Sequence, residues 1–180
     1  MYKRAIVFSV VMATLVSPLA RADAGVELTQ TQRDLIKANC ISVKTTLNRI
    51  HANDALSRVH LGQEYETLST KMMAPMNSRV ALNKLNGVEL IKTTVEFNET
   101  IDEFRDVYKV YEQSLSRALQ VKCVDDPQQF YDAIALAQQQ RSEVRTTVES
   151  LARLVTQYGQ QVNMLRSQIL DTQHDKEQGV

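Results

Sequence analysis

Asp126-Pro-Gln-Gln-Phe-Tyr-Asp-Ala-Ile-Ala-Leu-Ala-Gln-Gln-Gln-Arg141-Ser-Glu-Val-Arg-Thr-Thr-Val-Glu-Ser-Leu151-Ala-Arg-Leu-Val-Thr-Gln-Tyr158-Gly-Gln-Gln-Val-Asn-Met-Leu165-Arg-Ser-Gln-Ile169 is the stretch that decides the fold. Phe130, Ile134, Ala137, Arg141, Val144, Val148, Leu151, Val155, Tyr158, Val162, Leu165 and Ile169 alternate at spacings of four and three, which is a heptad seam on one long helix. Only Arg141 is charged on that seam. Asp126 suits the N-cap, Pro127 the first helical position, and the acidic pair Asp125–Asp126 the positive end of the helix dipole. Gly159 weakens the helix slightly, and fraying is expected after about Thr172.

The same period runs backwards through the chain. A helix is predicted from Val88 to about Lys122, with Leu90, Phe97, Ile101, Phe104, Tyr108, Tyr111, Leu115 and Ala118 on its core face and Thr94 as the polar exception. Asn86, with Glu89 three residues on, reads as its capping box. A reversal is expected over Asn83–Gly87. Before it, Leu28 to about Val80 reads as helix, capped by Thr29 or Thr31, with Gln32 at N3 if Thr29 is the cap. Its face is Ile36, Cys40, Val43, Leu47 and Ile50, then Leu61, Tyr65, Leu68 and Met72. Asp54 and Ser57 form a polar layer between those two runs, where Asn53 or Asp54 could start a second helix; a continuous but bent helix is the favoured reading. Gly62 costs stability without stopping the helix, and Pro75 should kink it. The predicted fold is therefore all-α: an elongated antiparallel helical bundle or coiled coil of three long helices, or four if the break at Asn53–Asp54 is real.

The first residues carry a different signal. Lys3 and Arg4 precede the apolar run Ala5–Val16, Pro18 breaks it, and Ala20-Arg21-Ala22 and Ala22-Asp23-Ala24 both fit a cleavage site. The run is too short to span a bilayer, which takes about 20 apolar residues. Residues 1–24 thus read as a signal peptide, 25–174 as the bundle domain and 175–180 as a disordered tail, with the protein exported to the cell envelope or the exterior. The full chain holds 21 basic and 21 acidic residues. Cleavage after Ala24 leaves 18 basic and 20 acidic, a balance that argues against a nucleic-acid partner and against strong attraction to anionic lipid. No later apolar run suggests membrane insertion, and no Cys sits at the cleavage site to take a lipid.

Cys40 and Cys123 are the only cysteines. Export permits a disulfide, and their midpoint near Ala81–Leu82 falls close to the reversal, so two antiparallel helices would bring them together. Free thiols are the alternative. No catalytic, cofactor or metal set is predicted. His60 and Glu64 share a face and form at most one edge of a metal site, while His51 lies on the opposite face and His174 is far away. Glu96, Glu99, Asp102, Glu103 and Asp106 read as a solvated acidic face, and Tyr65, Tyr108, Tyr111, Tyr131 and Tyr158 as core residues with hydroxyls at the rim. Met72, Met73 and Met76 cluster around Pro75. Gap-filling core is the favoured reading; with Val80 they are also the candidate partner surface.

Asn39-Cys40, Asp54-Ala-Leu-Ser-Arg-Val, Gly62-Gln-Glu-Tyr-Glu66, Asn77-Ser-Arg-Val80, Tyr111-Glu, Lys122-Cys123 and Gln129-Phe-Tyr-Asp132 together resemble a family of small exported helical proteins of ultra-small episymbiotic bacteria. The resemblance implies a paired-Cys helical fold at the envelope or outside the cell, and no catalytic residues. Leu28-Thr29-Gln30-Thr31-Gln32 is similar to the Leu-Thr-x-x-Gln motif of periplasmic helical chaperones, in a single copy. The functional expectation is an exported, non-enzymatic protein that binds a protein partner, with homo-oligomerisation allowed. An envelope chaperone for unfolded chains is the alternative, and a hydrolase or metal enzyme ranks last.

Overall fold

A computed structural model describes residues 27–178, with side chains through Asp171. The signal-peptide reading of residues 1–24 lies outside the described residues. So do residues 179–180 of the expected tail. The chain is all-α, with no strand among the described residues. Helix α1 (Gln30–Thr67) passes into a π-helical turn (Leu68–Met73) and then α2 (Ala74–Leu82); after the reversal come α3 (Val88–Gln120) and α4 (Pro127–Gln178). The α4 backbone is helical to Gln178, beyond Thr172. At 52 residues it is about 78 Å long. The arrangement is a three-rod, up-down-up bundle in which α3 and α4 pair most extensively and α1 leans on them chiefly through α3.

Most start signals act as the sequence predicts. Thr29 caps α1 in a capping box: Gln32 N–H donates to Thr29 Oγ1 at 3.3 Å, and Thr29 N–H donates to Gln32 Oε1 at 2.8 Å. Pro127 opens α4, and Gln129 N–H donates to Asp126 Oδ1 at 2.9 Å. The start of α3 differs. Gly87, not Asn86, is its N-cap, and it makes no side-chain cap bond; Asn86 Oδ1 instead accepts from Val88 N–H at 3.4 Å. A Cβ on residue 87 would lie 2.5 Å from Val80 Cγ1, so close approach to α2 selects glycine there. The reversal itself is a Schellman turn. Leu85 N–H bonds Val80 O and Lys84 N–H bonds Ala81 O, both at 3.0 Å, with Lys84 at φ 57° where glycine is the usual residue.

The first rod is continuous through Asn53–Asp54, so there is no fourth long helix. Its distortion falls one turn before Pro75. Ala74 N–H reaches back five residues to Ser69 O, which widens the turn that the Pro75 ring would otherwise press against. The extra residue also shifts the helix phase. Tyr65, Ser69, Met73 and Val80 face inward, while Met72, expected on the core face, is exposed.

The core comprises three clusters along the bundle. Cys40, Cys123 and Phe130 anchor one end, joined by Ile36, Val43, Leu47 and Ile134. Tyr108, Tyr111, Leu115 and Ala137 fill the middle. Phe97, Phe104, Ile101, Leu151, Tyr158 and Leu165 dominate the reversal half, where Tyr65 meets Phe97 and Phe104 edge-on at 6.0 and 5.8 Å. All eight apolar positions named for the α3 face are buried, and Leu151 on α4 is wholly enclosed.

Candidate functional site

The polar interruptions of the three seams meet one another. Asp54 on α1 accepts from Arg141 on α4 through both oxygens, at 2.8 and 3.0 Å, and from the Tyr111 hydroxyl on α3 at 2.6 Å. Burial alone would raise the Asp54 pKa. The hydrogen bonds from Arg141 and Tyr111, with the charges of Arg141 and His51, outweigh it and hold the carboxyl below its usual value. The same contacts act in reverse on the phenol: burial and the bond to Asp54 push the Tyr111 pKa up. This layer is a planar two-point ion pair with a third donor behind it, the geometry in which Arg is most effective.

Thr94, the polar exception on α3, is satisfied in a second network nearer the reversal. Asn77 Nδ2 donates to Thr94 Oγ1 at 2.8 Å, and the Tyr158 hydroxyl lies 2.9 Å from Asn77 Oδ1 and 3.2 Å from the Met73 carbonyl. Ser69 meets Asn98 at 2.6 Å, and Gln157 donates to Thr93 at 3.2 Å. The pairs between the first rod and α3, Asp54–Tyr111, Ser69–Asn98 and Asn77–Thr94, are centred close to the Asn83–Gly87 reversal. They are rungs of one antiparallel register. Cys40 and Cys123 lie on the same register as a disulfide pair with Cα atoms 5.7 Å apart, and tie α1 to the α3–α4 junction.

Beside the Asp54 layer, the three helices do not close fully. They leave a cleft of about 450 Å³. Leu61, Phe104, Val144 and Val148 give it an apolar floor, and Tyr108 and Tyr111 stand at one end. Arg58, Arg141 and Arg145 surround it, against the single carboxylate of Asp54. The Arg58 guanidinium sits 5.2 Å above the Tyr108 ring.

The remaining sequence candidates fall elsewhere. Met73 and Val80 are buried in the core, at 2% and 3% exposure, Met76 is half-buried against the same cluster, and of the four only Met72 is open. The extra residue of the π turn is the cause. The five carboxylates from Glu96 to Asp106 lie at the surface, Glu96 half-buried, with Arg105 bridging Asp102 and Glu66. His51 approaches Glu112 at 4.0 Å, well away from His60. Among the described residues no group of three or more His, Cys, Asp or Glu converges. Thr29 and Gln32 are occupied in the cap, and Leu28 is buried with its N–H on Gln128 at 2.9 Å, so this stretch serves the docking of α1 onto α4. Arg58 and Tyr108 were not singled out as site residues by their sequence positions. The available signal was that Asp54 and Arg141 are complementary breaks in adjacent seams, which places a polar layer beside them.

Fold and site define a disulfide-linked three-rod helical bundle with an arginine-rimmed cleft between its rods. No protein-family model, curated protein or solved structure matches this chain.

Proposed function

We propose that this is an exported, non-enzymatic helical protein that binds a protein partner at the cell envelope or outside the cell. The carrying observation is an apolar patch at the reversal end of the bundle. Val88, Ile91 and Val95 fall at helical spacing on the side of α3 away from its core residues, and all three are exposed. Apolar side chains grouped on one outer face are the usual mark of a binding surface. The Cys40–Cys123 pair supports the assignment to an oxidising compartment, as does the apolar run at Ala5–Val16. The resemblance to exported proteins of episymbiotic bacteria points the same way.

A photo-crosslinking residue at Val88, compared with one at Gln139 on the exposed side of α4, tests the reading in the native organism. One defined partner captured only from position 88, and lost when Ile91 and Val95 are both changed to Glu with helicity intact, is the expected result. Equal labelling from both positions would reject it. The chaperone alternative predicts instead that the protein suppresses aggregation of unrelated unfolded chains at near-stoichiometric ratio.

A further inference from the structure

We infer that the cleft between α1, α3 and α4 is a binding site for a small amphipathic carboxylate, with its apolar body on Leu61, Phe104, Val144 and Val148 and its head group held by Arg58. This site is separate from the apolar patch at the reversal end and does not depend on the partner-binding reading.

Three observations converge on that chemistry. The first is shape and lining. A cleft of about 450 Å³ with a mainly apolar floor and a few polar groups at its edge lies in the range of small-molecule sites, and too many apolar atoms face it for a hydrated ion alone. The second is charge. Three guanidinium groups face one carboxylate, and that carboxylate is already committed to Arg141 and Tyr111. Among the described residues, Arg145 pairs with Glu149 alone, one helical turn away on the exposed surface. Arg58 makes no ion pair among the described residues; its guanidinium rests on the face of Tyr108 at the cleft. An anion entering the cleft therefore finds an Arg with no ion-pair partner among the described residues, its guanidinium already seated over the Tyr108 ring. A cation would meet three guanidinium groups and a carboxylate already paired with one of them.

The third observation is Tyr108 itself. Its side chain is 4% exposed and lines the cleft, yet its hydroxyl is fully enclosed and makes no hydrogen bond among the described residues. Enclosed hydroxyls are nearly always paired, because leaving one unpaired is costly. Burial, with the carboxylates of Glu112 and Asp54 close by, pushes the Tyr108 pKa up, so the group stays a donor at neutral pH. A ligand oxygen that displaces the side chains covering this hydroxyl gives the donor an acceptor. Tyr111, by contrast, is already bonded to Asp54, so the two adjacent tyrosines divide into a structural and a ligand-facing member.

The test is isothermal titration of the purified protein with decanoate, and with decyltrimethylammonium as a probe of equal chain length and opposite charge. Saturable binding of decanoate at one site, and none of the cation, is expected. Arg58→Gln should weaken decanoate binding about tenfold, the loss of one charge-assisted contact. Tyr108→Phe should weaken it a few-fold. Because Arg58 is a surface residue whose contact with the Tyr108 ring is exposed, its variant should melt within a few degrees of the wild type. Ser142→Trp, at an exposed position on the cleft wall, should fill the cleft and abolish binding with the melting temperature unchanged. Equal affinity for both probes, decanoate binding indifferent to Arg58→Gln and Ser142→Trp, or no saturable binding would each overturn the assignment.

Discussion

Replacing Asp54 with Ala removes the acceptor shared by Arg141 and Tyr111, and the two partners should respond differently. Arg141 is 56% exposed at its side chain and regains water, so the lost ion pair should cost at most about 1 kcal/mol. Tyr111 is only 2% exposed. Its hydroxyl would be left enclosed without an acceptor, at about 1–3 kcal/mol. The sum is about 1–4 kcal/mol, which for a domain of this size lowers the melting temperature by roughly 2–16 °C. Tyr111→Phe alone should cost about 1–2 kcal/mol, but much less once Asp54 is gone, giving a coupling of about 1–2 kcal/mol. Thermal and urea unfolding of the four proteins, followed by circular dichroism, measures that coupling. Additivity within about 0.5 kcal/mol would refute the shared-acceptor account. The layer also has an acid signature. The Asp54 carboxyl is held below its usual pKa in the folded protein, so its stabilisation is fully present above about pH 4 and is lost as pH falls through the lowered value. The stability gap between wild type and Asp54→Asn should narrow in acid, and a gap constant down to about pH 2 would contradict the assignment.

Three further predictions concern the frame. Removing the disulfide with Cys40→Ala and Cys123→Ala should destabilise the protein by up to about 4.5 kcal/mol, the loop-closure value for a separation of 83 residues; unchanged urea midpoints would show that the bond constrains nothing. Leu151→Asp places an unpaired charge at a wholly enclosed position and should cost about 4 kcal/mol or more, while Glu149→Gln on the exposed face should stay within about 0.5 kcal/mol; similar melting shifts for both would mean the seam is misassigned. Across the reversal, Lys84→Gly should stabilise by about 0.5–1 kcal/mol by relieving left-handed strain, whereas Gly87→Ala should destabilise by pressing on Val80; equal signs in thermal unfolding would reject the turn geometry.

Periodicity made most of the fold legible. Helix number, the buried faces of α3 and α4, the cap at Asp126–Pro127 and the cysteine pairing all follow from spacings of three and four together with the place of the reversal. The departures are local. Pro75 was readable as a disruption, but its form, a widened turn before it, was not, because one inserted residue changes helix phase without changing composition. That single residue exchanged Met72 for Met73 in the core. Asn86 lost the cap to Gly87 because a tertiary contact with Val80 outweighs side-chain preference. Asp54 and Arg141 were visible as separate breaks in two seams, and their pairing depends on the offset between α1 and α4, which no single-helix pattern encodes. The cleft is a gap between three helices and has no linear signature at all.

Export is the claim on which the functional account rests, and intact-mass analysis of the native protein from fractionated cells tests it most directly. The account predicts a chain in the envelope or culture medium that begins at Asp23 or Gly25 and weighs two hydrogens less than its reduced form, with Cys40 and Cys123 joined in the non-reduced digest. A cytosolic chain that retains Met1 to Ala22 and carries two alkylatable thiols would contradict it.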